Sequence, residues 1–296
     1  MLYLIAVILL NTLLFAIFKL FPRFGIDGLQ AIVVNYFVCV ITGSVFIGEF
    51  SIGQQSISEP WFPWSLGMGA LFISLFNLMA WRTREDGMTT TTIANKLSMV
   101  IPVLFSIFLY GEQLGVLKIA GILLAFPAVY LTTKEPEGPL NSKNFLFPVL
   151  LFMGSGLLDT LVKYVEATFL KDSRAQAVYT IHLFAAAAVL GLMVVIYLRL
   201  RGKIKLQRKN MLAGIILGIP NYFSIYLLIR LLNSNFLQSS AAIPVNNIGI
   251  VLLSSLTAIL FFREPINRQR ALGLILSVAA ILLIALSDIH GRPVSI

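Results

Sequence analysis

Three ionisable side chains sit where the surrounding sequence is hydrocarbon. Asp159 is the one acid well inside an apolar stretch, Lys96 lies deep in another, and His182 in a third. A charge at the centre of a bilayer costs at least about 2.5 kcal/mol, so each should face the interior and be paired or wetted. Ser155, Asp159 and Lys163 are spaced by four and share one helix face, and Asn11, Phe15 and Lys19 repeat that stripe earlier in the chain. Two chemistries fit Asp159: a proton or cation coupling site, or an i,i+4 salt bridge with Lys163 that satisfies both groups.

Lys96 lies ~12 Å along its stretch at 1.5 Å per residue. Thr91 and Thr92 precede it, Asn95 adjoins it and Pro102 follows. Pro102 has no N–H to give the carbonyl of Ser98, which frees an acceptor and allows a bend. An ammonium there could hold an anionic or carboxylate-bearing substrate. It could also snorkel toward an interface on its alkyl stem. Asn246 and Asn247, two residues after Pro244, would add uncharged donors and acceptors.

His182 shares a face with Tyr179 and Gln176. It reads either as a proton relay, since imidazole titrates near neutrality, or as a single hydrogen bond between helices. With Lys163 and Asp159 it completes the candidate coupling set. Asn35 and Tyr36, Ser74 and Asn77, and Asn221 and Tyr222 after Pro220 extend the polar lining. Each alone could be interhelical glue worth ~0.6 kcal/mol. Together they imply a wet central cavity, with Pro102, Pro220 and Pro244 as hinges.

The elements that position these groups are ten apolar stretches of about 17–24 residues, each long enough to span ~30 Å as a helix. They fall near 2–20, 29–48, 62–81, 89–110, 115–133, 145–164, 175–198, 211–232, 240–262 and 268–287. The chain is 58% hydrophobic and 12% charged, which leaves no material for a soluble domain. Its net charge of +9 reads as loop charge that sets orientation and meets anionic lipid, not as a nucleic-acid footprint. The one cysteine, Cys39, lies inside a stretch, so no disulfide framework or cysteine-rich metal site is expected. Met1-Leu2-Tyr3 supplies no basic region ahead of the first stretch, which is expected to be a mature helix rather than a cleaved signal.

The stretches pair across two halves, 1–139 and 140–296. Leu13, Leu14 and Lys19 fall on Leu157, Leu158 and Lys163 at an offset of 144; Gln30, Ala31 and Tyr36 fall on Gln176, Ala177 and His182 at 146. Asn95, Glu112 and Gly121 fall on Asn247, Glu264 and Gly273 at 152. Offsets that grow along the chain fit loop insertions after a duplication. Five spans per half require the second half to enter the bilayer upside down. Such inverted repeats build transporters with a mid-membrane site.

The run Pro102-Val103-Leu104 through Phe108-Leu109-Tyr110-Gly111-Glu112-Gln113-Leu114, then Gly121, resembles the signature of the EamA-like group of the drug/metabolite transporter superfamily. In that pattern a span with a mid-membrane proline ends in Gly-Glu, and the next span carries an early glycine. The second half departs from it, with Ser254 at the proline position and Arg263-Glu264-Pro265 in place of Gly-Glu. The resemblance implies a secondary carrier, often an exporter of amino acids, metabolites or toxic amphiphiles.

Connections after odd-numbered spans hold fifteen lysines and arginines, and the opposite side holds six. The positive-inside rule puts the fifteen in the cytoplasm and both termini outside. Similar transporters are usually drawn the other way up. Glu112 and Glu264, at span ends, are expected to accept backbone hydrogen bonds or pair with arginines such as Arg263. Gly67, Gly69, Gly154, Gly156 and Ala185–Ala188 are expected to let helices approach.

Two histidines and no paired acids within a span argue against a membrane enzyme, and the absence of rings of like charge argues against a channel. The expectation is an all-α membrane protein of ten helices in two inverted repeats around a central cavity, sited in the cell (inner or plasma) membrane. It would be a monomer or homodimer with no cofactor, contacting lipid and a small-molecule substrate and no nucleic acid. Its substrate site would comprise Lys96, Asn95, Asn247, Asn246, Tyr36, Asn35, Asn11, Asn77, Tyr179, Asn221 and Tyr222. The runner-up is a flippase or exporter of an amphiphile or lipid-linked head group.

Overall fold

The computed structural model describes residues 1–102, 104–105, 115–133, 142–232 and 239–290. Its helices are α1 (Leu2–Leu20), α2 (Gly28–Ile47), the short α3 (Gln54–Ile57), α4 (Phe62–Glu85), α5 (Met88–Leu97), α6 (Val116–Thr133), α7 (Ser142–Phe169), α8 (Ser173–Leu200), α9 (Arg208–Leu232), α10 (Ser239–Phe262) and α11 (Arg268–His290). Local chemistry sets several of these ends. Asp27 caps α2 by accepting the Gln30 N–H at 3.0 Å, and Asp172 caps α8 by accepting those of Arg174 and Ala175 at 2.8 Å each. Gly48 closes α2 at φ 76°, a conformation that glycine adopts without a Cβ penalty.

Eight of the described helices are long and apolar enough to cross a membrane: α1, α2, α4 and α7 through α11. Between a third and a half of each is buried inside the protein, so the remainder faces outward. The fourth expected stretch behaves differently. Its helix α5 stops at Leu97, the chain turns through Ser98 and Met99, and helix resumes at Val100. α6 continues the pattern with an apolar run that includes Val116–Ala128. Gly111, Glu112 and the end of that fourth stretch lie outside the described residues.

Consecutive passes alternate in direction, as the ties at each end show. At one end Lys19 pairs with Glu264, Asp27 N–H donates to Asn210 Oδ1 at 3.0 Å, and Lys209 reaches the Phe24 carbonyl at 3.3 Å. At the other end Glu49 pairs with Arg174 at 2.6 Å, and Arg230 bonds Ser173 and Tyr3. The connections after the first, third, seventh and ninth stretches therefore gather on one face. On that face Asp86 pairs with Arg82. Burial raises its carboxyl above the usual range, while the Arg82 guanidinium pulls the other way.

Two hydrophobic cores fill the bundle. The larger draws on α1, α2, α4, α7, α8 and α9, with Met88 and Ala94 of α5 and Ile250 and Ala258 of α10 reaching into it. The smaller joins α5, the turn after it, α6, α10 and α11 through Ile93, Leu97, Val100, Ile122, Val251 and Ile281, with Phe152 from α7. Glycines bring α9 against α2: a Cβ on Gly214 would lie 2.5 Å from the Ala31 carbonyl oxygen and 2.6 Å from Val34 Cβ. Gly69 packs in the same way against Ala186 and Ala187, whereas Gly67 faces open space and has no packing role. Gly214→Val is accordingly expected to cost about 1–3 kcal/mol by overpacking. A thermal melt in detergent should show a lowered midpoint for Gly214→Val and none for Gly67→Ala.

Candidate functional site

The break in α5 places a cation and its neighbours at mid-bundle. Lys96 sits in the last turn before the break, where helix carbonyls lose their i+4 donors. The Lys96 carbonyl takes the Nδ2 of Asn247 at 3.2 Å, and Ser98 Oγ donates to the Asn95 carbonyl. Ile101 N–H reaches Ser98 O at 2.9 Å, filling the acceptor that Pro102 leaves vacant. The bend foreseen from Pro102 is thus a full interruption one turn earlier.

Beside this break lies a cavity of about 90 Å³. Its polar lining is Lys96, Asp159, Asn11, Asn95, Asn246, Asn247 and Ser155. Lys96 and Asp159 interact electrostatically across it, and neither side chain is hydrogen-bonded to a described residue. The i,i+4 salt bridge of Asp159 with Lys163 is absent among the described residues, because the carboxylate faces the cavity and Lys96. Asn95 Nδ2 donates to Ser155 Oγ at 2.7 Å, while Asn11 Nδ2 turns back to the Val7 carbonyl at 3.0 Å. The Oδ1 atoms of Asn95 and Asn246 are buried without a partner. Such atoms cost about 1–3 kcal/mol each until a donor arrives. The cavity lining therefore offers an ammonium, a carboxylate and unfilled amide acceptors.

Six sequence-predicted site residues meet here: Asn11, Asn95, Lys96, Asp159, Asn246 and Asn247. The others do not line this cavity. Tyr36 is fully buried and donates to the Phe72 carbonyl at 3.0 Å. Asn35 accepts from Asn221 Nδ2 at 3.1 Å, which joins α2 to α9. Tyr179 bonds Met68 Sδ at 2.8 Å, and Tyr222 is buried against Tyr226. His182 Nδ1 meets the carbonyl of Val178, one turn earlier in the same helix, at 2.8 Å, and its ring packs on Trp61, so the described contacts give neither a hydrogen bond between helices nor a relay into the cavity. Asn77 bonds the Ile73 carbonyl at 2.8 Å and lines a separate 190 Å³ groove beside Trp81 and Arg84. Pro220 sits within α9, and the side chain of Pro244 lies outside the described residues.

Sequence reasoning did not assign the cavity's apolar wall. Phe72, Leu75, Phe76 and Met79 follow one another at helical spacing on α4. That stripe is legible, but nothing local separates a cavity wall from core.

Glu264 has the structural role expected of it, with a different partner. It accepts the N–H of Met88 at 2.8 Å and of Thr89 at 3.4 Å, and pairs with Lys19 at 2.6 Å rather than with Arg263. A carboxylate at a helix N-terminus is favoured by the unfilled donors and by the dipole. Gly87, at φ 95°, lets the chain pass beneath it: a Cβ there would lie 3.0 Å from Glu264 Oε2. Glu264→Ala should cost about 1–2 kcal/mol as a lost cap, read as a lower melting midpoint. Gly87→Ala should also be destabilising, because alanine is strained at that φ.

Comparison with known proteins bears on the fold and the family. The model of the EamA-like transporter family matches residues 2–134. An uncharacterized protein of Haemophilus influenzae is 30% identical over 263 residues, covering 85% of this chain and 86% of its own. A solved crystal structure superposes with a TM-score of 0.63 over 96% of each chain at 17% identity, a likeness of fold alone. With its long apolar helices, its motif after Pro102 and this family match, the chain is a multi-pass membrane protein that belongs to the EamA-like transporter family of the drug/metabolite transporter superfamily.

Proposed function

We propose that the chain is a secondary active transporter that exports a small polar metabolite, such as an amino acid or other carboxylate, across the cell membrane by alternating access. The observation that carries this reading is Lys96 facing Asp159 across a cavity whose remaining polar groups are amides and one hydroxyl. A carboxylate would settle on the Lys96 ammonium. An amino group would fill the unpartnered oxygens of Asn95 and Asn246 beside Asp159. A zwitterion leaves the site's charge balanced, which suits a region where an unpaired charge is costly.

The reading includes ten spans arranged as two inverted repeats, 1–139 and 140–296. Asn95 and Asn247, equivalent by the repeat, both reach the cavity, as expected of a site formed where two related halves meet. Asp159 is the coupling group in this scheme. At about 90 Å³ the cavity is smaller than the ~300–1,000 Å³ of ordinary ligand pockets. Loading therefore needs a wider state.

The test is exchange in liposomes reconstituted with the purified protein, using a pool of labelled amino acids and small carboxylates. Saturable exchange of one fraction supports the reading. A folded, monodisperse sample that exchanges none of the pool overturns it.

A further inference from the structure

The central cavity lies on the boundary between the two hydrophobic cores. Lys96, Asn95, Asn246 and Asn247 come from α5 and α10, which line the smaller core and also send Met88, Ala94, Ile250 and Ala258 into the larger; Asp159, Ser155, Asn11 and the α4 stripe come from helices of the larger one. This boundary cuts across the sequence repeat, since each core contains helices from both halves. The approaches across it are bare of side chain on one side. Gly249 of α10 abuts Ile8 of α1, and Gly156 of α7 abuts Ile101 and the Ser98 carbonyl, 2.7 Å from where its Cβ would be. Within each core the helices are instead keyed together between halves. Gly121 of α6 fits against the Ala280 carbonyl of α11 at 2.8 Å, and Gly218 of α9 against the Asn35 carbonyl of α2 at 2.8 Å.

Resting on the transport reading above, we propose that the moving parts are these two cores, not the two sequence halves. The body α5, α6, α10 and α11 shifts against the other six spans, and the Lys19–Glu264 pair latches the boundary at one membrane face. Rocking the halves would pull α2 from α9 and α6 from α11, breaking the backbone approaches of Gly214 to the Ala31 carbonyl at 2.5 Å and of Gly218 and Gly121 at 2.8 Å. Sliding the cores breaks the polar ties of Lys19 to Glu264 at 2.6 Å, Asn95 to Ser155 at 2.7 Å and Asn95 to Met79 Sδ at 3.8 Å, and shifts the Phe126–Phe152 ring pair and the Gly249 and Gly156 contacts. It also widens the cavity directly, because Lys96 and Asp159 belong to opposite bodies. The latch stays with the small body, since Glu264 also holds Met88 and Thr89 of α5.

Spin-label distances separate the two modes. In a Cys39→Ala background, pairs are placed at outward-facing positions: Leu123 with Ile41, Leu123 with Leu282, and Ile41 with Ile216. The first pair lies in one sequence half but on different bodies; the other two lie in different halves but on one body each. Distances are measured in lipid nanodiscs with and without Lys19→Gln, which opens the latch and leaves the α5 cap in place. The expected result is a shifted or second population for Leu123–Ile41 alone. A fixed Leu123–Ile41 distance, or movement in either other pair, overturns the proposal. Glu264→Gln should give the same shift as Lys19→Gln, and a melting midpoint on each variant shows that it is folded. Failure of the transport reading appears only in the liposome assay, so the two results are distinguishable.

Discussion

Lys96→Ala should lower exchange of carboxylate substrates by roughly a hundredfold or more while the protein remains folded. Lys96 is the one cation among the residues lining the cavity. Its removal leaves Asp159 facing amides and a hydroxyl, with nothing to receive a carboxylate. Removing the site's half of a buried charge contact with a bound carboxylate costs about 2–5 kcal/mol of binding, and each 1.4 kcal/mol is tenfold in an equilibrium constant. A loss of that order should appear in kcat/KM at low substrate. Lys96→Arg keeps the charge but replaces a compact ammonium with a planar fork in a cavity of about 90 Å³. Partial activity is expected from it. If Lys96→Ala exchanges within twofold of the wild type, the lysine is not a ligand, and the snorkelling account of it stands.

How much of this was legible depends on the distance over which each feature is decided. Caps are decided within four residues, so Asp27 and Asp172 announce the starts of α2 and α8. Span lengths follow from bilayer thickness and apolar composition. The asparagines at 95 and 247 stood out because equivalent polar residues in two apolar repeats are hard to obtain by chance. The predicted residues that lie away from the cavity share one cause. A polar residue in a membrane helix must face the interior, but the interior comprises both the cavity and the seams between helices. Asn35, Tyr36, Asn221 and Tyr222 belong to seams. They are there because Gly214 and Gly218 let α9 close on α2, a tertiary fact absent from either helix's own sequence. The Lys19 partner of Glu264 lies at the other end of the chain. The break at Ser98 was foreseen as a bend at Pro102. The structure instead has a turn at Ser98 and Met99, one turn before the proline and packed into the smaller core.

Asp159→Asn is expected to abolish any dependence of transport on a pH gradient while sparing exchange in its absence. The amide keeps the size and hydrogen-bonding oxygen of the carboxylate but carries no exchangeable charge. A proton-coupled step through this position is then lost, and passive exchange at Lys96 continues. Unchanged gradient dependence would remove Asp159 from the coupling role. The same variant leaves the Lys96 ammonium without its counter-charge, so the protein should also become less stable, as should Lys96→Met. Combining the two removes both charges. Because a buried ion pair contributes little net stability once both partners are replaced, Lys96→Met with Asp159→Asn should melt closer to the wild type than either single variant does. Residues in contact through a shared cavity are non-additive by about 0.5–3 kcal/mol, and recovery of that size in a thermal double-mutant cycle would measure the pairing directly. The double variant should still fail to transport, since it recovers stability without restoring either charge. Strictly additive losses would mean that the two groups do not sense each other, and the balanced site proposed for a zwitterion would have no physical basis.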